Sequence, residues 1–214
     1  MIVDAVETGF IEGDGPYYPQ ARTEIRPRPL ASFRDRFYCI GMSPESADQA
    51  ARLGARLAIF SQQQWEPWAK GALARYRKLY EELHGEEAPP PLTVDTMYCH
   101  ADPETAGESA RKFISEYHGT VMDHYEIHKD ELGKTKGYES YTIPVELSEA
   151  AKKYVDVQAA GTPREILDSL AHRREVVGDF ELAMLVKYGS MTLTEAEASV
   201  RLFASEVLPE VQRW

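Results

Sequence analysis

A chain of 214 residues, 43% of them apolar and 28% charged, is long enough for an α/β domain with a sizeable core. Its formal charge of −11, which no basic cluster interrupts, disfavours nonspecific contact with nucleic acid or anionic lipid and leaves a small neutral or anionic ligand as the expected partner. No stretch approaches the roughly 18 apolar residues of a membrane helix, and no basic-then-apolar segment is visible, so a soluble, cytoplasmic protein with neither anchor nor signal peptide is expected.

Residues 1–8 place Ile2, Val3 and Val6 on one side, like the last two turns of an amphipathic helix that ends at Gly9. No capping residue precedes them, which predicts a chain entering an element already under way. A connector, residues 9–36, follows. It is rich in Gly, Pro and Arg, too long for a routine loop, and expected to pack irregularly across one end of the fold.

Four strand-then-helix units come next. Residues 37–42 read as a short strand that turns abruptly into a helix, with Ser43 as N-cap and Pro44 at the first helical position. A helix opening this way aims free N–H groups, with the Ser43 and Ser46 hydroxyls beside them, at whatever lies above the strand; phosphate is the obvious guest, and an ordinary helix start is the competing reading. Residues 56–62 form a second apolar run, followed by a helical pattern over 68–83 through Leu73, Tyr76, Leu79, Tyr80 and Leu83. Residues 92–100 form a third, ending at the cap-and-proline signal of Asp102 and Pro103. The next helix carries Ala106, Ala110, Phe113, Ile114 and Tyr117 on one face. A fourth strand spans 180–187, and Thr194 with Glu197 has the spacing of a capping box that opens a last helix. Units repeated in this way predict parallel strands with right-handed crossovers in one curved sheet.

The side chains able to carry chemistry are few. His124 and His128 share a helical face at i and i+4, near His118, Asp123 and Glu126, but no third ligand stands at metal-site spacing, and polar helix faces often carry histidine. His100, at the end of the third strand, is a candidate base or hydrogen-bond donor; a surface or capping histidine is the alternative. Phe60, Gln62 and Trp65 stand at the C-terminal end of the second strand and are placed to line a pocket or to pack the end of the fold. Cys39 and Cys99 lie in different strands as small buried apolar residues, and a disulfide is not expected.

Residues 9–18 (GFIEGDGPYY) and 24–30 (EIRPRPL), the turn at 41–46 (GMSPES) with 50–54 (AARLG), the segment 161–167 (GTPREIL) and the helix 199–209 (SVRLFASEVLP) together resemble the bacterial luciferase-like flavin monooxygenases. The likeness spans nearly the whole chain but only the C-terminal half of the family's barrel. It implies a partial (β/α)8 TIM barrel of about four parallel β/α units, with residues 1–36 as helix remnant and connector and 37–214 as the units. Four units cannot close such a barrel alone, so open strand edges and self-association into a homo-oligomer are expected.

The same resemblance implies a monooxygenase or oxidoreductase acting with reduced FMN and dioxygen on a small organic substrate, with FMN supplied by a separate flavin reductase; a deazaflavin is the other cofactor of this kind. Met42, Ser43 and Ser46 match the positions that hold the FMN phosphate. Met42 stands where luciferases have an acidic residue, so only its backbone is carried over. Residues 117–141 resemble a variable insertion over the active site. The alternative function is a non-catalytic flavin-binding or assembly module that keeps the phosphate site and lacks the ring site.

Overall fold

A computed structural model describes residues 1–62, 64–124 and 147–214. The principal strands are β1 (Phe10–Gly13), β2 (Gln20–Glu24), β3 (Tyr38–Ile40), β4 (Arg56–Phe60), β5 (Leu92–Thr96), β6 (Tyr98–Cys99), β7 (Ala160–Gly161) and β8 (Glu181–Leu185). The α-helices are α1 (Ile2–Thr8), α2 (Pro44–Arg52), α3 (Trp65–Trp68), α4 (Ala74–His84), α5 (Pro103–His124), α6 (Leu147–Asp156), α7 (Pro163–Val177), α8 (Leu193–Leu202) and α9 (Leu208–Val211), with π-helical turns at Ala69–Leu73 and Phe203–Val207. Strands β3, β4, β5 and β8 form a four-stranded parallel sheet in that order. None of the helices among the described residues is long and apolar enough to cross a membrane. The chain divides into two compact units, Met1–Ala58 with Gly71–Pro91, and Ile59–Lys70 with Leu92–Trp214.

In the first unit, α1 ends as expected at Gly9, whose φ of 82° suits a residue without Cβ. The connector is more ordered than its composition implies: β1 and β2 pair as an antiparallel hairpin with an irregularity between Ile11 and Gly13, and Arg34–Arg36 form a 3-10 turn. The Arg22 guanidinium lies 3.6 Å from the Phe10 ring centroid, holding the two strands of this exposed hairpin by a contact that composition does not reveal. Further on, the wholly buried Ala47, Ala50 and Ala51 give α2 a flat face. Tyr76 of α4 donates its hydroxyl to Ala55 O at 2.9 Å, His84 donates Nε2–H to Ala51 O at 2.7 Å, and Arg75 grips Asp48 with two bonds of 2.6 Å.

In the second unit, β5 alternates so that Thr93 and Asp95 are wholly buried. One apolar cluster gathers Tyr98, Phe113, Ile114, Tyr154, Tyr188 and Met191. Another gathers Met97, Cys99, Ile166, Leu170, Phe203 and Val207. Helix α5 starts at the expected cap, with Asp102 Oδ1 accepting the Thr105 N–H at 2.9 Å.

Two sequence expectations need correction here. The strand over 92–100 is broken. The Thr96 N–H and hydroxyl both turn to the Gln158 side-chain oxygen, at 2.8 and 2.9 Å, and Tyr98–Cys99 then pairs with Ala160–Gly161 as a separate two-stranded sheet. The last capping box is Thr192 with Glu195, not Thr194 with Glu197. Both pairs have the spacing, but Glu195 accepts from the Thr192 N–H at 2.7 Å, while Glu197 is taken by Arg201 of the next turn at 2.7 Å.

The strand-to-helix turn in the first unit leaves no room at Gly41. A Cβ there would lie 2.5 Å from Leu57 Cδ1 and 3.2 Å from Ala47 N. Gly41→Ala is therefore expected to destabilise the fold by about 1–3 kcal/mol through overpacking, read as a lower urea midpoint with unchanged m.

Candidate functional site

In the first unit, α2 begins where β3 ends. The Ser43 side chain accepts the Ser46 N–H at 3.3 Å, and the two hydroxyl oxygens lie 3.2 Å apart. Met42, Ser43 and Ser46 are half-buried, and Glu45 is exposed. The donor chemistry fits a phosphate: two adjacent hydroxyls stand at the positive end of a nine-residue helix. The Ser46 N–H is meanwhile committed to the cap, so an incoming anion must share it or displace the Ser43 oxygen.

The other candidates belong to the second unit. Phe60 and Gln62 are half-buried. Trp65 is buried, its ring 4.1 Å from the Arg173 guanidinium carbon and set edge-on to Trp68. It packs the interior. His100 is half-buried, stacked parallel to Tyr98, and its Nδ1 accepts the Asp102 N–H at 3.2 Å. The same Nδ1 also stands 3.4 Å from the Asp102 carbonyl oxygen. The turn that holds His100 is the one that caps α5, where Thr105 keeps the Asp102 carboxyl below its ordinary range through backbone and side-chain hydrogen bonds.

The His118 ring packs on Tyr154 at 4.7 Å between centroids, and burial pushes its basicity down. His128 and Glu126, and residues 125–141 of the expected insertion, lie outside the described residues; Tyr117 to His124 continue α5. Burial raises the Cys99 thiol to about 11 and shifts Cys39 in the same direction, which keeps both protonated near neutral pH.

The second unit also holds a buried polar network that composition does not mark. Arg173 and Asp95, both fully buried, are joined at 2.6 and 3.0 Å. Arg173 also donates to Thr93 Oγ1 at 2.9 Å and Val157 O at 3.2 Å, and Ser61 donates its hydroxyl to Asp95 at 2.5 Å. Among the described residues, Arg173 Nε is buried without a hydrogen-bond partner; the guanidinium lies between the Trp65 and Phe180 rings, whose faces partly offset that loss. Next to this network, Gln158 donates to Ser61 O and Tyr154 O and accepts both donors of Thr96. A helical signal for Arg173 was available: it continues the stripe Ile166, Leu170, Val177 at α7 spacing, so its charge falls on the buried face.

The sequence profile of the luciferase-like monooxygenases matches residues 2–179, and the chain belongs to that family. Among solved structures, it is similar to the monooxygenase RslO1 from Streptomyces bottropensis at 19% identity and TM-score 0.66, covering 94% of this chain and 56% of that one. It is similar to the coenzyme F420 dependent tetrahydromethanopterin reductase from Methanopyrus kandleri at 15% identity and TM-score 0.67, covering 98% and 60%. A third is the oxygenating constituent of 3,6-diketocamphane monooxygenase from Pseudomonas putida, in complex with FMN, at 14% identity and TM-score 0.58, covering 97% and 60%. No curated protein matches. At these identities the likeness shows the fold, a partial (β/α)8 barrel, and this chain spans less than two thirds of each of these relatives.

Asp95→Asn strands the Arg173 charge in the interior and is expected to lower stability by about 3–5 kcal/mol, whereas an apolar pair replacing both residues restores most of it, as read by urea denaturation. His118 carries a separate pH signature. Its folded form resists protonation, so as pH falls through about 6.5 the unfolded chain takes up a proton that the folded chain refuses, and stability drops. Denaturant melts between pH 7 and 5 should show this slope, and His118→Phe should flatten it; the carboxylates held low, Asp102 and Glu195 among them, lose their contribution only at more acid pH.

Proposed function

We propose that this chain is the phosphate-binding half of a luciferase-like, flavin-dependent monooxygenase, acting with FMN, or with a deazaflavin, on a small organic substrate. The observation that carries the reading is the hydroxyl pair of Ser43 and Ser46 at the N-terminus of α2, in a chain of this family. One relative was solved with FMN and another is dependent on coenzyme F420, which supports a flavin-type cofactor. The reduced cofactor supplies the electrons that activate dioxygen, and a separate flavin reductase supplies the reduced cofactor. In the first unit, Ser43 and Ser46 hold the phosphate and the Met42 backbone borders it; in the second unit, Phe60 and Gln62 are the residues assigned to the substrate and His100 is the candidate hydrogen-bonding side chain. Self-association fits the exposed Tyr38 and Ile40 on the edge strand β3.

Ser43→Ala and Ser46→Ala test the reading. Each is expected to weaken FMN by roughly 1–2 kcal/mol, a hydrogen bond to a charged group, in a fluorescence titration of the full chain. If Ser43 only caps its helix, the same substitution instead lowers the melting stability by about 1 kcal/mol and leaves affinity alone. Unchanged affinity in both variants overturns the phosphate assignment.

A further inference from the structure

The Gln158 carboxamide is 3% exposed and fully bonded. Nε2 donates to Ser61 O and to Tyr154 O, and Oε1 accepts from the Thr96 N–H and hydroxyl. These partners are not scattered. Ser61 is the residue just past the end of β4, and Thr96 is the last residue of β5, so one side chain ties together the carboxyl ends of two neighbouring strands. In a barrel of this class, chemistry is sited at those ends.

Ser61 is gripped from a second direction. Its hydroxyl donates to Asp95, itself locked by Arg173, and its N–H donates to Val94 O at 3.0 Å. N–H, carbonyl and hydroxyl are thus all committed to buried partners. Phe60, the last residue of β4, and Gln62 flank Ser61 directly at the bend that ends the strand, so fixing the Ser61 backbone fixes where both side chains start, and both are half-buried.

We propose that Gln158 is a positioning residue: by holding the Ser61 carbonyl against Thr96, it sets the direction in which Phe60 and Gln62 enter the pocket. The functional importance of that wall rests on the monooxygenase reading above; the positioning itself does not.

Hydrogen–deuterium exchange on the full-length chain tests it, comparing wild type with Gln158→Met and Gln158→Glu. Gln158→Met removes every polar bond of the hub, and exchange is expected to rise about tenfold in peptides covering both 59–62 and 96–98. Gln158→Glu keeps an acceptor for Thr96 and loses the donors to Ser61 and Tyr154, so the rise should be confined to 59–62. A merely structural role predicts a uniform increase across 92–124 and 160–214 in both variants, and that result, or unchanged exchange at 59–62, overturns the proposal. Titration with oxidised FMN tests the function separately. If wild type binds FMN, Gln158→Met should shift the visible absorption band of the bound flavin, and an unshifted band overturns the functional importance of the wall while the exchange pattern decides the positioning. If wild type does not bind FMN, the FMN form of the monooxygenase reading fails, and the exchange pattern decides the role of Gln158.

Discussion

Burying a guanidinium out of reach of water is tolerable only when charge and hydrogen-bonding capacity are met together, and Arg173 imposes that requirement on the second unit. Asp95 must face it, so β5 carries a carboxylate at an interior position. Thr93 must stand two residues away on the same face, and Ser61 donates a third hydrogen bond to the carboxylate. Trp65 then covers the cation with its ring. The helix α7, the strand β5 and the segment after β4 are thereby fixed to one another by directional bonds, which a purely apolar interface leaves free to slide.

Direction is what this part of the fold needs. Apolar packing sets how close two elements lie, whereas hydrogen bonds set register and the way each side chain faces. The ends of β4 and β5 are irregular: one strand stops at Phe60, and the other breaks after Thr96. Irregular backbone leaves N–H and C=O groups without ladder partners, and Gln158 provides two of them. The polar interior and the broken strand are two sides of one arrangement.

Local signals were legible in the sequence wherever they are local in the structure. Ser43 with Pro44, Asp102 with Pro103, and the glycine ending α1 each act within four residues, and each does in the structure what its residue type dictates. The periodic faces of α4 and α5 were legible for the same reason, and so were the four strands of the main sheet with their following helices, whereas the β1–β2 hairpin and the β6–β7 pair were not. Long-range partners were not. Gln158 and Arg173 meet Ser61 and Asp95 across 97 and 78 residues, and nothing in the neighbourhood of Gln158 marks it as a hub. Arg173 sits among His172 and Arg174, where composition reads as a solvated stretch and only helical phase singles it out. In the candidate site, the hydroxyl pair of Ser43 and Ser46 was readable, whereas the burial of Trp65 under a cation was not, because its partner lies on a helix more than a hundred residues away.

The cap on α2 has a thermodynamic corollary. Because Ser43 Oγ already accepts the Ser46 N–H, an anion held as proposed must share that N–H or exchange one hydrogen bond for another. Net affinity is then the difference between two similar terms, so it responds steeply to small changes in the geometry of a single turn. Under the phosphate assignment, the Ser43 cap can re-form when the anion leaves, so the Ser46 N–H keeps a partner with and without ligand.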